Sequence, residues 1–78
     1  MIILNEIKEV NKKISARCSG KLRERHITMK EVAKALNMSE STIYKKMSGQ
    51  SDLSVGELFL IAMNLRLTHE EVNYIFYG

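Results

Sequence analysis

Glu40, Ser41, Tyr44, Lys45 and Lys46 share the outward face of a short stretch that reads as a helix over about residues 39–48. Hydroxyls can donate or accept, an ammonium donates, and a carboxylate accepts, so this face is built to hydrogen-bond rather than to break bonds. Catalysis needs a positioned set such as a nucleophile with its base, paired carboxylates or a metal. No such set shows. Glu70 and Glu71 stand together at a helix N-terminus, which the helix dipole favours and which explains them without a catalytic role. Cys18, His26 and His69 have no ligand spacing, and no Gly-rich phosphate loop is present. The expectation is therefore no enzyme, no metal, no cofactor and no small-molecule substrate. A polar face of hydroxyls and lysines above an apolar underside suits the floor of a DNA major groove.

The elements that must hold this face can be read around it. Thr28 with Glu31 forms a capping box that opens one helix, and Val32, Ala33 and Leu36 fall on its inner face. Ala33 is small enough for a second helix to cross closely above it. Asn37, tolerant of the left-handed conformation, ends that helix in a tight turn. Ser39 caps the next, Ile43 and Met47 anchor it from below, and Gly49 stops it.

Upstream, Ile3, Ile7, Val10, Ile14 and Cys18 recur at steps of three and four, one apolar stripe on a helix beginning near Leu4. Ser19-Gly20 is its weak point, where a kink or an end is expected, since Gly costs about 1 kcal/mol in a helix interior. Ile2, Ile3 and Leu4 together exceed what one helix face buries, which asks for a covering contact. Downstream, Leu53 returns to the core. Ser54 with Glu57 opens a further capped helix whose apolar residues, Val55, Leu58, Phe59, Ile61, Ala62 and Leu65, lie on more than one side. That pattern predicts a central helix packed under the others. Thr68 with Glu71 opens the last helix, with Val72, Ile75 and Phe76 inward.

Seventy-eight residues make one small domain, and the absence of proline, with helix formers dominant, makes it all-α. A lone cysteine excludes an intramolecular disulfide, and no run is apolar enough to span a bilayer, so a cytoplasmic protein without membrane contact is expected. The net charge of +3 is unevenly spread. Residues 8–34 hold nine bases against three acids, a net +6, whereas residues 47–78 hold one base against four acids, a net −3. A polyanion would meet the basic end.

The segment Ile27–Gln50 resembles the helix-turn-helix of the phage repressor and Cro family, also called XRE-like. Thr28, Val32, Ala33, Leu36, Met38, Ser39, Thr42, Ile43 and Gly49 carry the resemblance, which extends from about Lys21 to the C-terminus. Met29 stands where the family often has a phosphate-contacting Gln, and Asn37 replaces the usual turn Gly. The resemblance implies a lambda-repressor-like fold of five helices. It divides the chain into an N-terminal helical extension, residues 1–14, and a helix-turn-helix domain, residues 15–78. It further implies a DNA-binding transcriptional regulator, phage or prophage encoded, acting as a homodimer on an inverted-repeat operator. Glu40, Ser41, Tyr44 and Lys45 would then face bases, while Thr28, Lys30, Lys46, Ser48 and Gln50 would hold the phosphate backbone of double-stranded DNA. Arg23, Arg25 and His26 lie where bases can reach the backbone beside the groove. The alternative is a module of the same fold that binds a protein, as an antitoxin, anti-repressor or other inhibitor does.

Overall fold

A capping residue precedes each of the last four helices, and these caps set the architecture. The computed structural model describes residues 4–78, with side chains from residue 6 onward. Helices α1 (Leu4–Glu24), α2 (Met29–Leu36), α3 (Glu40–Met47), α4 (Val55–Asn64) and α5 (His69–Tyr77) follow in order, with no strand among the described residues. Thr28, Ser54 and Thr68 each form a reciprocal capping box with Glu31, Glu57 and Glu71, satisfying amide groups that the helix starts would leave unpaired. Asn37 adopts the left-handed conformation (φ 54°) and Gly49 does likewise (φ 84°).

Each helix contributes an inner stripe to one core. Cys18 and Leu22 come from α1, Val32, Ala33 and Leu36 from α2, Ile43 and Met47 from α3, Leu58 and Ile61 from α4, and Ile75 from α5. Helix α1 runs alongside both α3 and α5, and α2 packs on α3 and α4. Arg17 fastens α5 to α1, donating from Nε to Ile75 O (2.8 Å) and from a terminal nitrogen to Phe76 O (3.0 Å). Complete burial pushes the Cys18 thiol up to about 12, so it stays protonated and acts as a small core hydrophobe.

Two sequence expectations change. Helix α1 does not end at Gly20 but continues to Glu24. Cys18 and Leu22, one on each side of Gly20, are both fully buried. Burying two such side chains is worth several kcal/mol, which exceeds the roughly 1 kcal/mol that Gly costs. The division at residue 14 accordingly falls inside one continuous helix. Helix α4 is not central. Only Leu58 and Ile61 are buried, while Val55, Phe59, Leu60 and Met63 are exposed. The reason is coverage: α2 packs on α4 from one side, and among the described residues no other helix packs closely on its far side. The expected covering of Ile2 and Ile3, and the start of the apolar stripe at Ile3, lie outside the described residues.

Candidate nucleic-acid interface

The turn between α2 and α3 is closed locally. Met38 N donates to Ala33 O at 2.9 Å around the left-handed Asn37, and Ser39 Oγ accepts from Thr42 N at 3.1 Å to start α3. Ile43 is fully buried and Met47 nearly so, which fixes the rotation of α3 about its axis. The opposite face is thereby turned outward. Glu40, Ser41, Tyr44 and Lys45 are all exposed, Tyr44 at 61%. Lys45 makes no ion pair among the described residues, so its ammonium is free for a ligand. Glu40 sits in the first turn of α3, where the helix dipole favours a carboxylate.

The residues expected at the phosphate backbone divide into two sets. Thr28, Lys30 and Gln50 are exposed. Thr28 Oγ1 accepts from Glu31 N, which leaves its own proton to donate elsewhere. Lys46 and Ser48 are engaged internally. Lys46 Nζ donates to Asp52 O (2.9 Å) and to Glu57 Oε1 (3.0 Å), with only 15% of its side chain exposed. Lys46 therefore does not lie on the outward face with Lys45. One position further along an eight-residue helix rotates it about 100°, towards the N-terminus of α4. Ser48 Oγ donates to Lys45 O at 3.1 Å. The same carbonyl accepts from Gln50 N and Ser51 N (2.9 and 3.1 Å), so these loop amides serve the fold and only the side chain of Gln50 is presented.

The charge of Glu57 follows from this knot. Burial pushes its carboxyl up, but the Ser54 amide and the Lys46 ammonium outweigh burial and hold it below the usual carboxylate range. Arg25 is also committed, with one guanidinium nitrogen 2.9 Å from Arg66 O and 3.3 Å from the Glu71 carboxylate. That commits Arg25 to the connection between α4 and α5, whereas Arg23 is exposed and without an ion pair among the described residues. His26 is exposed in a left-handed turn (φ 57°) after α1.

A hollow joins three elements beside the outward face of α3. Tyr44 and Ser48 line it from α3 and its cap, Met29 from α2, and Ser19 and Arg23 from α1. A second hollow, at the C-terminal end of α3, is lined by Lys8 and Lys12 together with Gln50 and Asp52. The two lysines were not singled out from the sequence as site residues. Their i, i+4 spacing was visible there, but which side of α1 meets α3 was not.

Among the described residues no cluster of His, Cys, Asp or Glu is arranged to hold a metal ion, and no helix is long and apolar enough to cross a membrane. A helix-turn-helix family model matches residues 21–72, from the last turn of α1 into α5. Comparison with curated proteins and with solved structures gave no match. With two thirds of its length under that model, and with the turn and the exposed helix where the motif requires them, the chain belongs to the XRE-type helix-turn-helix family of DNA-binding regulators.

Proposed function

We propose that the chain is a sequence-specific transcriptional regulator that inserts α3 into the DNA major groove. The observation that carries this reading is the division of α3 into a buried Ile43/Met47 side and an exposed side of Ser41, Tyr44 and Lys45. Lys45 donates to guanine O6 or N7, and Ser41 bonds a base edge of either sense. Tyr44 meets a thymine methyl or a phosphate. Glu40 accepts from a cytosine amino group and penalises sites that lack one. Thr28, Lys30 and the Gln50 side chain hold the backbone, helped by the N-terminus of α2. Lys46 and Ser48 act at one remove, pinning the loop that presents Gln50.

One module buries limited surface on DNA, so we further propose a homodimer on an inverted-repeat operator with half-sites about one helical turn apart. The apolar face that α4 leaves open supports a second copy as its cover. Phe59 is 54% and Met63 74% exposed, and both border a groove with Leu67 and Val72. Selection of bound duplexes from a random pool, with the mass in solution measured alongside, tests both parts. An inverted repeat and a dimer mass support them. No enriched sequence refutes the first, and a monomer on a single half-site refutes the second.

The same open face on α4, with the acidic Glu40 on α3, is what favours the reading of a protein-binding module. Titration with a random duplex separates the two, because binding through phosphates weakens steeply with salt, and a protein-binding module shows no duplex binding even at low salt.

A further inference from the structure

Helix α1 carries more positive charge than the fold uses, and three of its unused bases lie along one edge. Arg17 is spent on the carbonyl groups of α5. Lys21 is spent on Glu24 at 3.0 Å and on the face of Tyr74 at 4.8 Å. Lys8, Lys12 and Arg23 are exposed and make no ion pair among the described residues. At about 100° per residue, positions 8, 12, 19 and 23 fall within a strip about 60° wide. Both hollows described above lie on this strip. Ser19 and Arg23 border Tyr44 and Ser48, and Lys8 and Lys12 border Gln50. Helix α1 and the loop after α3 meet closely at Gly49, where a Cβ would lie 3.0 Å from Lys12 Cγ. The Lys12 stem is therefore packed on the loop that follows α3, with its ammonium beyond it.

From this we infer that the N-terminal half of α1 is a phosphate-binding edge: Lys8 and Lys12, continued by Arg23, grip the backbone of the DNA strand flanking the groove that α3 enters. The inference rests on the proposed DNA reading and enlarges its footprint to Lys8 and Lys12, which lie outside the segment that the family model covers. The distance fits the ligand. Fifteen residues of helix from Lys8 to Arg23 rise about 22 Å, which matches the rise of roughly six base pairs at 3.4 Å each. Asp52 also borders the second hollow, one carboxylate against two ammonium groups. Its backbone carbonyl is already held by Lys46. Lys13 supplies an internal control, since it is exposed but turned about 110° away from the middle of the strip.

The test uses the full chain and a fluorescently labelled random-sequence duplex, titrated over a range of salt concentrations. Each phosphate contact contributes about 0.9 to the slope of log K against log salt. The double variant Lys8→Ala/Lys12→Ala should lose about 1.8 from that slope. It should keep the base preference of the wild type in a random-pool selection. Lys13→Ala should keep the wild-type slope, and Lys8→Arg/Lys12→Arg should restore it. A double variant with the wild-type slope overturns the inference while leaving the DNA reading intact. So does a Lys13→Ala variant that loses as much slope per charge, because the effect would then be one of net charge. A wild-type chain that binds no duplex at low salt overturns the DNA reading and this inference together. Far-UV circular dichroism of each variant confirms that the compared proteins are folded.

Discussion

Replacing Lys46 by Met separates a residue that holds the fold from one that touches DNA. Its ammonium makes two charge-assisted bonds, to Asp52 O at 2.9 Å and to Glu57 Oε1 at 3.0 Å. The paired side chains are only 15% and 17% exposed. A solvated ion pair is worth about 0–1 kcal/mol, and breaking a fully buried one costs about 3–5 kcal/mol. This pair lies between those limits, so Lys46→Met should cost about 2 kcal/mol, with the methionine retaining most of the stem packing. For a domain of this size that lowers Tm by about 8–16 °C. Thermal and urea unfolding followed by circular dichroism measure the loss. A double-mutant cycle with Glu57→Gln should return a coupling of about 1 kcal/mol. After correction for the folded fraction, the salt slope of duplex binding should stay at the wild-type value. A variant with unchanged Tm and a shallower slope would refute the reasoning, because Lys46 would then be reaching phosphate.

Three other outcomes follow from the same geometry. Gly20→Ala should stabilise the protein by about 0.5–1 kcal/mol, since Gly20 lies inside a regular helix and an added Cβ meets nothing within 4 Å; urea unfolding checks it. Lys45→Ala should weaken binding to the selected operator by about 1–3 kcal/mol and relax preference at one base position, with little change in Tm. Acidification should destabilise the fold through Glu57 and Glu71, whose carboxyls are both held below their ordinary value of 4.5. For Glu71 the Thr68 amide is the main cause, with burial opposing and Arg25 assisting. Because the folded values are depressed, this stability is fully present above 4.5 and is lost as pH falls through the folded values. Tm measured against pH should therefore drop below that point, and less steeply in Glu57→Gln.

Features set by neighbours in the chain were legible from the sequence. Thr28, Ser54 and Thr68 cap helices because each has Glu three residues on, an interaction complete within one turn. Asn37 and Gly49 mark turns because few other residues tolerate a positive φ. Ile43 and Met47 are readable as the underside of α3, and so is the face opposite apart from Lys46. What escaped was set by packing between elements. Gly20 looked like a break until Cys18 and Leu22 were seen to be buried on both sides of it. Helix α4 looked central because apolar residues surround it, but the sequence does not count how many neighbours exist to cover them. Lys45 and Lys46 look alike in the chain; only the position of Glu57 and the Asp52 carbonyl distinguishes a free ammonium from a committed one. Lys8 and Lys12 belong to the basic segment in the sequence, but their place beside Gln50 depends on which side of α1 meets the loop after α3.

The claim that α3 enters the major groove is tested most directly by methylation interference on a duplex recovered from the random-pool selection. Methylation of guanine N7 blocks the major groove at single positions, and methylation of adenine N3 blocks the minor groove. The expected result is loss of binding on N7 methylation at positions grouped in each half-site, with the groups about one helical turn apart, and no effect of adenine N3 methylation between them. Binding indifferent to N7 methylation, or abolished only by modification in the minor groove, would contradict the placement of Ser41, Tyr44 and Lys45 against base edges.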